Sequence, residues 1–131
     1  MKIIHASAVV LVDRDNRVLI QKRAADNQLM PNYWEFPGGK MEENETPEQA
    51  IVREVKEELG VDLGCRAPLS FISSDRDDHH IIVYLFISRD TNGIPHGKEG
   101  QEIKWVRVNE LNNYELLPEN KPLIPIIRDF V

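Results

Sequence analysis

Gly38-Gly39-Lys40-Met41-Glu42-Glu43-Asn44-Glu45-Thr46-Pro47-Glu48-Gln49-Ala50-Ile51-Val52-Arg53-Glu54-Val55-Lys56-Glu57-Glu58-Leu59-Gly60-Val61 is the stretch around which the chain is organised. Its second half carries helix punctuation. The Thr46 hydroxyl can cap the first turn, Pro47 falls where an N–H needs no partner, and Gln49 completes a capping box. Ile51, Val55 and Leu59 recur at i, i+4 and i+8, giving one apolar stripe to bury. Gly60 then supplies the left-handed residue that stops a helix. The spacing predicts a helix over residues 46–59.

The opposite face is the unusual part. Glu54, Glu57 and Glu58 fall at i, i+3 and i+4, a spacing that predicts carboxylates converging on one patch. Like charges so placed destabilise a helix by about 0.2–0.5 kcal/mol per pair. Arg53 and Lys56 offset part of that repulsion without accounting for the cluster. Hard oxygen donors grouped in this way suit Mg²⁺ or Mn²⁺. A solvated charged face is the plainer reading, and for three glutamates alone it is the stronger one.

The spacing of the whole stretch changes that balance. Five residues separate Gly39 from Glu45, and seven separate Glu45 from Arg53-Glu54-Val55-Lys56-Glu57-Glu58-Leu59-Gly60-Val61. This resembles the complete signature of the Nudix hydrolases at every defining position. Further blocks follow in the same order: Lys22-Arg23-Ala24-Ala25-Asp26, Glu35-Phe36-Pro37-Gly38-Gly39-Lys40, Gly97-Lys98-Glu99-Gly100-Gln101 and Pro118-Glu119-Asn120-Lys121-Pro122. They extend the resemblance over most of the chain, to the MutT branch of the family, whose members hydrolyse 8-oxo-dGTP.

Several expectations come with that resemblance. It implies an α/β Nudix fold, an α/β/α sandwich around a mixed β-sheet. It implies Mg²⁺, with Mn²⁺ as the alternative, held by Glu54, Glu57, Glu58, Glu99 and the Gly38 carbonyl. Glu54 is the expected general base, with Glu99 second. Arg53 is expected to pair with Glu45, bracing the loop against the helix and restraining the glutamates. Arg23 and Lys40 are expected on phosphate oxygens, and Phe36, Asp78 and Asn120 on the nucleoside. The implied reaction is attack of water on the β-phosphorus of a nucleoside triphosphate, releasing a monophosphate and pyrophosphate. With 8-oxo-dGTP as substrate, this chemistry clears an oxidised nucleotide from the precursor pool of DNA.

Asn120 carries a specific chemical idea. A carboxamide presents an acceptor and a donor side by side. Guanine offers acceptors at both O6 and N7, whereas 8-oxoguanine carries a hydrogen on N7 and so satisfies both ends of the amide. The competing reading of Asn120 is a cap for the last helix. Departures from the branch are Asp78-His79, where an arginine follows the aspartate in the branch, the Tyr33-Trp34 pair, and Pro125 inside the last helix. His79 and His80 read as a solvated pair rather than as metal ligands.

A chain of 131 residues with 41% hydrophobic content fits a single domain, 1–131, with a real core. The net charge is −6, yet Glu42–Glu58 alone holds seven acids against two bases, a local −5 that leaves the remainder at −1. The acidity therefore belongs to the proposed metal site, and a cation has to invert the local field before a phosphate approaches. No basic stripe suits a nucleic-acid duplex. No apolar segment approaches the roughly 20 residues that span a bilayer. A lone cysteine, Cys65, and an N-terminus that runs straight into a strand pattern suit a cytoplasmic protein without a signal peptide. The expected partner is a small nucleotide, and the expected state is a monomer, with a dimer as the alternative.

In chain order, Ile3–Val12 reads as a strand, residues 13–16 as a turn, and Arg17–Lys22 as the hairpin partner of the first strand. Residues 23–32 read as a loop and 33–36 as a short strand. Strands are expected at 69–73 and 81–88, the second buried on both faces, then a loop over 91–100 and a last strand at 103–108. A C-terminal helix over 123–130 is expected to open at Pro122, with Pro125 distorting its first turn. Two further functions stay open: hydrolysis of CTP or another modified nucleotide on the same fold, and a non-catalytic nucleotide-sensing domain. A sensing domain has no use for the full glutamate set that this chain keeps.

Overall fold

The computed structural model describes residues 1–131. Its first strand, β1 (Lys2–Leu11), is apolar on both faces. Val9 and Leu11 enter one core cluster, while Val10 enters the other together with Val12, just past the strand. β2 (Arg17–Lys22) divides in the same way, with Leu19 on the first side and Val18 and Ile20 on the second. Strands with two apolar faces need a covering layer on each side. Those layers are α1 (Pro47–Leu59) and α2 (Ile124–Phe130).

The remaining strands are β3 (Trp34–Glu35), β4 (Gly38–Lys40), β5 (Asp62–Leu63), β6 (Ala67–Asp75), β7 (His79–Ser88), β8 (Thr91–Asn92) and β9 (Ile103–Arg107). One sheet has the order β4-β1-β7-β6, with β1 parallel to β7 and antiparallel to β4. A second sheet, β3-β2-β9, is wholly antiparallel. β5 and β8 form a small ladder of their own. The mixed sheet and the α/β/α layering agree with expectation.

Besides the unexpected strands β4 and β5, four details differ. β1 and β2 do not form the expected hairpin; they meet only at a bridge from Val12 to Val18, and each becomes the inner strand of a different sheet. A strand buried on both faces is most stable with partners along both edges, and β7 and β9 supply those partners from far along the chain. β7 itself is less buried than its apolar run suggests. Only Leu85, Phe86 and Ser88 are fully covered, because α1 packs over β1 and β4 instead. Thr91 and Asn92, expected in a loop, pair with β5. Finally, residues 121–123 make a separate 3-10 turn, and Pro125 falls in the opening turn of α2, where its missing N–H breaks no helical bond.

α1 forms for the local reasons visible in its sequence. Gln49 N–H donates to the Thr46 hydroxyl at 3.2 Å, and Thr46 N–H donates to the Gln49 side chain at 3.0 Å. Gly60 closes the helix in the left-handed region at φ 72°. Ala50, Ile51, Val55 and Leu59 are all buried, the last three beside Val9, Leu11 and Leu19 in one cluster. No helix of the chain is long and apolar enough to cross a membrane. Ile51 is fully buried, so Ile51→Ala should cost about 2–5 kcal/mol, read as a lower midpoint in urea denaturation at unchanged slope.

Candidate active site

The site is a seam where α1 crosses β4. β4 lies antiparallel to β1 with Ser7 opposite Gly39 and Ala8 opposite Gly38. Neither glycine has room for a side chain. A Cβ on Gly39 would sit 2.6 Å from the Glu54 carboxyl carbon, and one on Gly38 would sit 2.1 Å from the Ser7 carbonyl oxygen. The helix therefore brings its carboxylates directly against strand backbone. Gly38 N–H donates to Glu58 Oε1 at 2.9 Å, and Gln21 Nε2 donates to Glu58 Oε2 at 2.9 Å.

Arg53 organises the other carboxylates. It donates to both oxygens of Glu45, from Nε at 2.7 Å and from Nη2 at 3.0 Å. Nη1 reaches Glu54 at 2.7 Å and Glu57 at 3.3 Å, and Nη2 reaches the Lys40 carbonyl at 3.0 Å. Bidentate geometry of this kind is the strong form of the ion pair. The bond to Glu45, with Glu54 helping, raises the Arg53 pKa, and the same bond holds Glu45 below the usual carboxylate range.

Burial acts in the opposite sense on the inner glutamates. It raises the Glu54 pKa against the pull of Arg53, and the nearby charges of Glu57 and Glu99 push the same way. It raises Glu58 to about 8, opposed by the Gln21 and Gly38 donors and reinforced by Glu54 and Glu35. Glu35 is also raised, by burial, despite its Arg23 partner.

The loop after β8 docks on the end of α1. His96 N–H donates to the Leu59 carbonyl at 3.1 Å, while Lys98 N–H at 3.0 Å and Gln101 Nε2 at 2.8 Å donate to the Glu58 carbonyl. These bonds satisfy carbonyls that a helix end leaves open. They also bring Glu99, exposed on this loop, within electrostatic reach of Glu54.

The glutamates do not converge on one patch as their spacing predicts. Glu54 turns to Gly39 and Arg53, Glu58 to Gly38 and Gln21, and Glu57 stays half-exposed beside Arg53. Glu54 and Glu57 share Arg53 Nη1 while Glu58 is drawn to Gln21 and Gly38, and no three acidic or histidine side chains close into a ready-made cage. The donor set still suits a hard divalent cation. Its members are carboxylates gathered from one helix face and one loop, and Glu57 and Glu99 already make the charge on Glu54 unfavourable. At Gly38 the observed contact is through the N–H rather than the expected carbonyl.

The expected substrate residues divide. Lys40 projects from β4 at the seam and is exposed. The Arg23 guanidinium is committed to Glu35 at 2.8 Å, to Asn27 at 3.2 Å and to the Leu29 carbonyl, so it braces the loop 23–32 rather than pointing free. Phe36, only 3% exposed, is a core side chain that anchors the Pro37–Gly39 segment and shows almost no face to a ligand. Asp78 lies at the tip of the β6–β7 turn, 88% exposed and bonded to His79 at 2.6 Å. The adjacent His80 bonds Asp75. Asn120 is half-buried, and its side chain makes no capping bond, so the helix-cap reading falls. The Arg76–Glu119 ion pair ties the β6–β7 turn to the segment that carries Asn120.

Three participants escaped the sequence reading: Gln21, Glu35 and Gln101. Gln21 had a detectable signal. It stands two residues after Leu19 on the α1-facing side of β2, where alternation calls for an apolar residue. Glu35 and Gln101 stand inside blocks that carry the resemblance, yet no local pattern marks either for a role.

The NUDIX domain family matches residues 2–130. The chain is similar to the 8-oxo-dGTP diphosphatase of Escherichia coli (strain K12), 37% identical over 124 residues that cover 95% of each protein. It is 31% identical to the CTP pyrophosphohydrolase of the same organism, over 95% of this chain and 90% of that protein. A solved structure from work on MutT from Aliivibrio salmonicida and Vibrio cholerae superposes with a TM-score of 0.84 at 34% identity, covering 98% of this chain and 100% of that one.

The buried Glu58 gives a pH signature. Its pKa of about 8 in the folded chain lies above the ordinary 4.5, so the folded chain holds this proton more tightly than the unfolded one. The stabilisation is fully present below about 4.5 and is lost as pH rises through about 8. Glu45, shifted downward, acts only at lower pH. Metal-free protein should therefore melt several degrees lower at alkaline than at mildly acidic pH. Glu58→Gln should flatten that slope in scanning calorimetry; a slope unaltered in the variant would assign it to another group.

Proposed function

The chain belongs to the Nudix family and is a Nudix hydrolase, and from that premise we propose a divalent-cation-dependent nucleoside triphosphate pyrophosphohydrolase with 8-oxo-dGTP as its substrate. The observation that carries this reading is the seam itself, with Glu54 pressed against Gly39 and Glu57, Glu58 and Glu99 around it. Mg²⁺ suits these oxygen donors, with Glu54, Glu57, Glu58 and Glu99 as its holders. When bound it would neutralise phosphoryl charge and lower the pKa of the attacking water.

The chain's own residues have distinct tasks. Glu54 accepts the proton of the water that attacks the β-phosphorus, and a nucleoside monophosphate and pyrophosphate leave. Arg53 holds Glu54 from one side at 2.7 Å while its bidentate bond to Glu45 fixes the guanidinium. Lys40, exposed beside the seam, is placed to attract phosphate oxygens. Arg23 acts by holding the loop 23–32 in place. The Asn120 carboxamide, uncommitted to the helix end, is free to meet a base that offers both an acceptor and a donor.

The similarity to a CTP pyrophosphohydrolase supports a second reading, in which the same diphosphate chemistry serves a cytidine nucleotide. Pyrophosphate release from 8-oxo-dGTP, dGTP, CTP and ADP-ribose with Mg²⁺ separates the two. Release from none of them leaves a non-catalytic nucleotide-binding domain.

Glu54→Gln should lower turnover by about 10²–10⁴-fold with the far-ultraviolet circular dichroism unchanged. Full activity in that variant would remove Glu54 from the chemistry. Asn120→Ala should weaken selection of 8-oxo-dGTP over dGTP by a few kcal/mol, on the order of 10²-fold, because two hydrogen bonds to the base go unmade. Competition kinetics with both nucleotides reads this directly, and an unchanged ratio would exclude Asn120 from base selection.

A further inference from the structure

Behind the glutamates runs a continuous chain of hydrogen bonds through two carboxamides outside the signature. Gln21 is 3% exposed on the α1-facing side of β2, where a polar group is costly unless all its bonds are made. Its Nε2 donates to Glu58 Oε2 at 2.9 Å and, at 3.4 Å, to Glu35 Oε2. Its Oε1 accepts from Gln101 Nε2 at 3.0 Å. Gln101 Nε2 also donates to the Glu58 carbonyl at 2.8 Å, and Gln101 Oε1 accepts from Glu99 N–H at 3.0 Å.

The network admits one sense only. Reversing Gln21 would turn its oxygen toward two carboxylates and its NH₂ toward another NH₂. Reversing Gln101 would set its NH₂ against the Glu99 N–H and its oxygen against the Glu58 carbonyl. Backbone groups lock Gln101, and Gln101 in turn locks Gln21. Three acidic residues from three separate elements are keyed to the pair: Glu35 on β3, Glu58 on α1 and Glu99 on the loop after β8.

The choice of amides has a chemical consequence. Arg53 holds Glu54 and Glu45 with positive charge and so cancels part of theirs. Gln21 holds Glu58 with a neutral donor and so adds no positive charge to compete with a cation.

We propose that Gln21 and Gln101 are positioning residues that act as one unit, setting the Glu58 carboxylate and the Glu99 backbone relative to each other for divalent-cation binding. This rests on the function proposed above. Breaking either amide loosens the same relay, so the two losses coincide instead of compounding.

The test is calorimetric titration of Mn²⁺ into metal-free parent, Gln21→Met, Gln101→Met and the double variant, with a thermal melt of each. Methionine keeps the length of the side chain and removes its hydrogen bonds. Either single variant should weaken Mn²⁺ binding by about tenfold or more, and the double variant by no more than the worse single one. kcat for nucleotide hydrolysis should fall in step, with KM for the nucleotide held. Mn²⁺ affinity equal to the parent's in the folded single variants overturns the proposal, and so do losses that multiply in the double variant or merely track the fraction unfolded. Should buried Gln21→Met not fold, Gln101→Met, on a partly exposed loop, decides alone by the same affinity criterion. A parent that binds no Mn²⁺ overturns the proposed function as well. A parent that binds it beside unaffected variants overturns only the relay.

Discussion

The close approach of α1 to the glycine pair of β4 is the constraint on which the site depends. Gly39 lets α1 press Glu54 against β4, where a Cβ would overlap the carboxyl group, while Gly38 lets β4 lie close along β1, where a Cβ would overlap the Ser7 carbonyl. That proximity desolvates two charged groups, which is tolerable only with compensating donors. Gly38 N–H is one of them, satisfying one of the Glu58 oxygens.

Charge management follows from the same packing. Burial pushes the pKa of Glu54, Glu58 and Glu35 upward; the charges of Glu57 and Glu99 add to the shift at Glu54, and those of Glu54 and Glu35 to the shift at Glu58. Arg53 relieves one side by spanning Glu45, Glu54 and Glu57, and Arg23 relieves Glu35. Neither reaches Glu58, which relies on neutral partners. The result is a set of carboxyl groups each held in place by specific partners. The loop after β8 belongs to this arrangement, because its backbone closes the open carbonyls of α1 while presenting Glu99 to the same region.

Much of this was legible in the chain. The Thr46–Gln49 capping box, the buried stripe of Ile51, Val55 and Leu59, and the Gly60 stop are local features, and the structure contains each of them. The Arg53–Glu45 pair also formed as expected. Strand pairing was a different matter. β1 and β2 are neighbours in sequence and looked like a hairpin, yet β1 chose β7, some seventy residues away, because a doubly apolar strand is best placed inside a sheet.

At the site the division is equally physical. Residue types and their spacing on one helix determined which side of α1 carries carboxylates, since helical geometry follows from short-range bonds alone. What each carboxylate touches could not be read in that way. Phe36 became core instead of a ligand contact, Arg23 was taken up by Glu35, and the Asn120 side chain caps no helix. Gln21 and Gln101 are 80 positions apart and meet only because β2 and the loop after β8 close over the end of α1. The sequence by itself determined the helix, its acidic face and the family's chemistry. Tertiary structure alone decided the partners of each side chain, because burial and hydrogen bonding between distant segments exist only once the sheets have assembled.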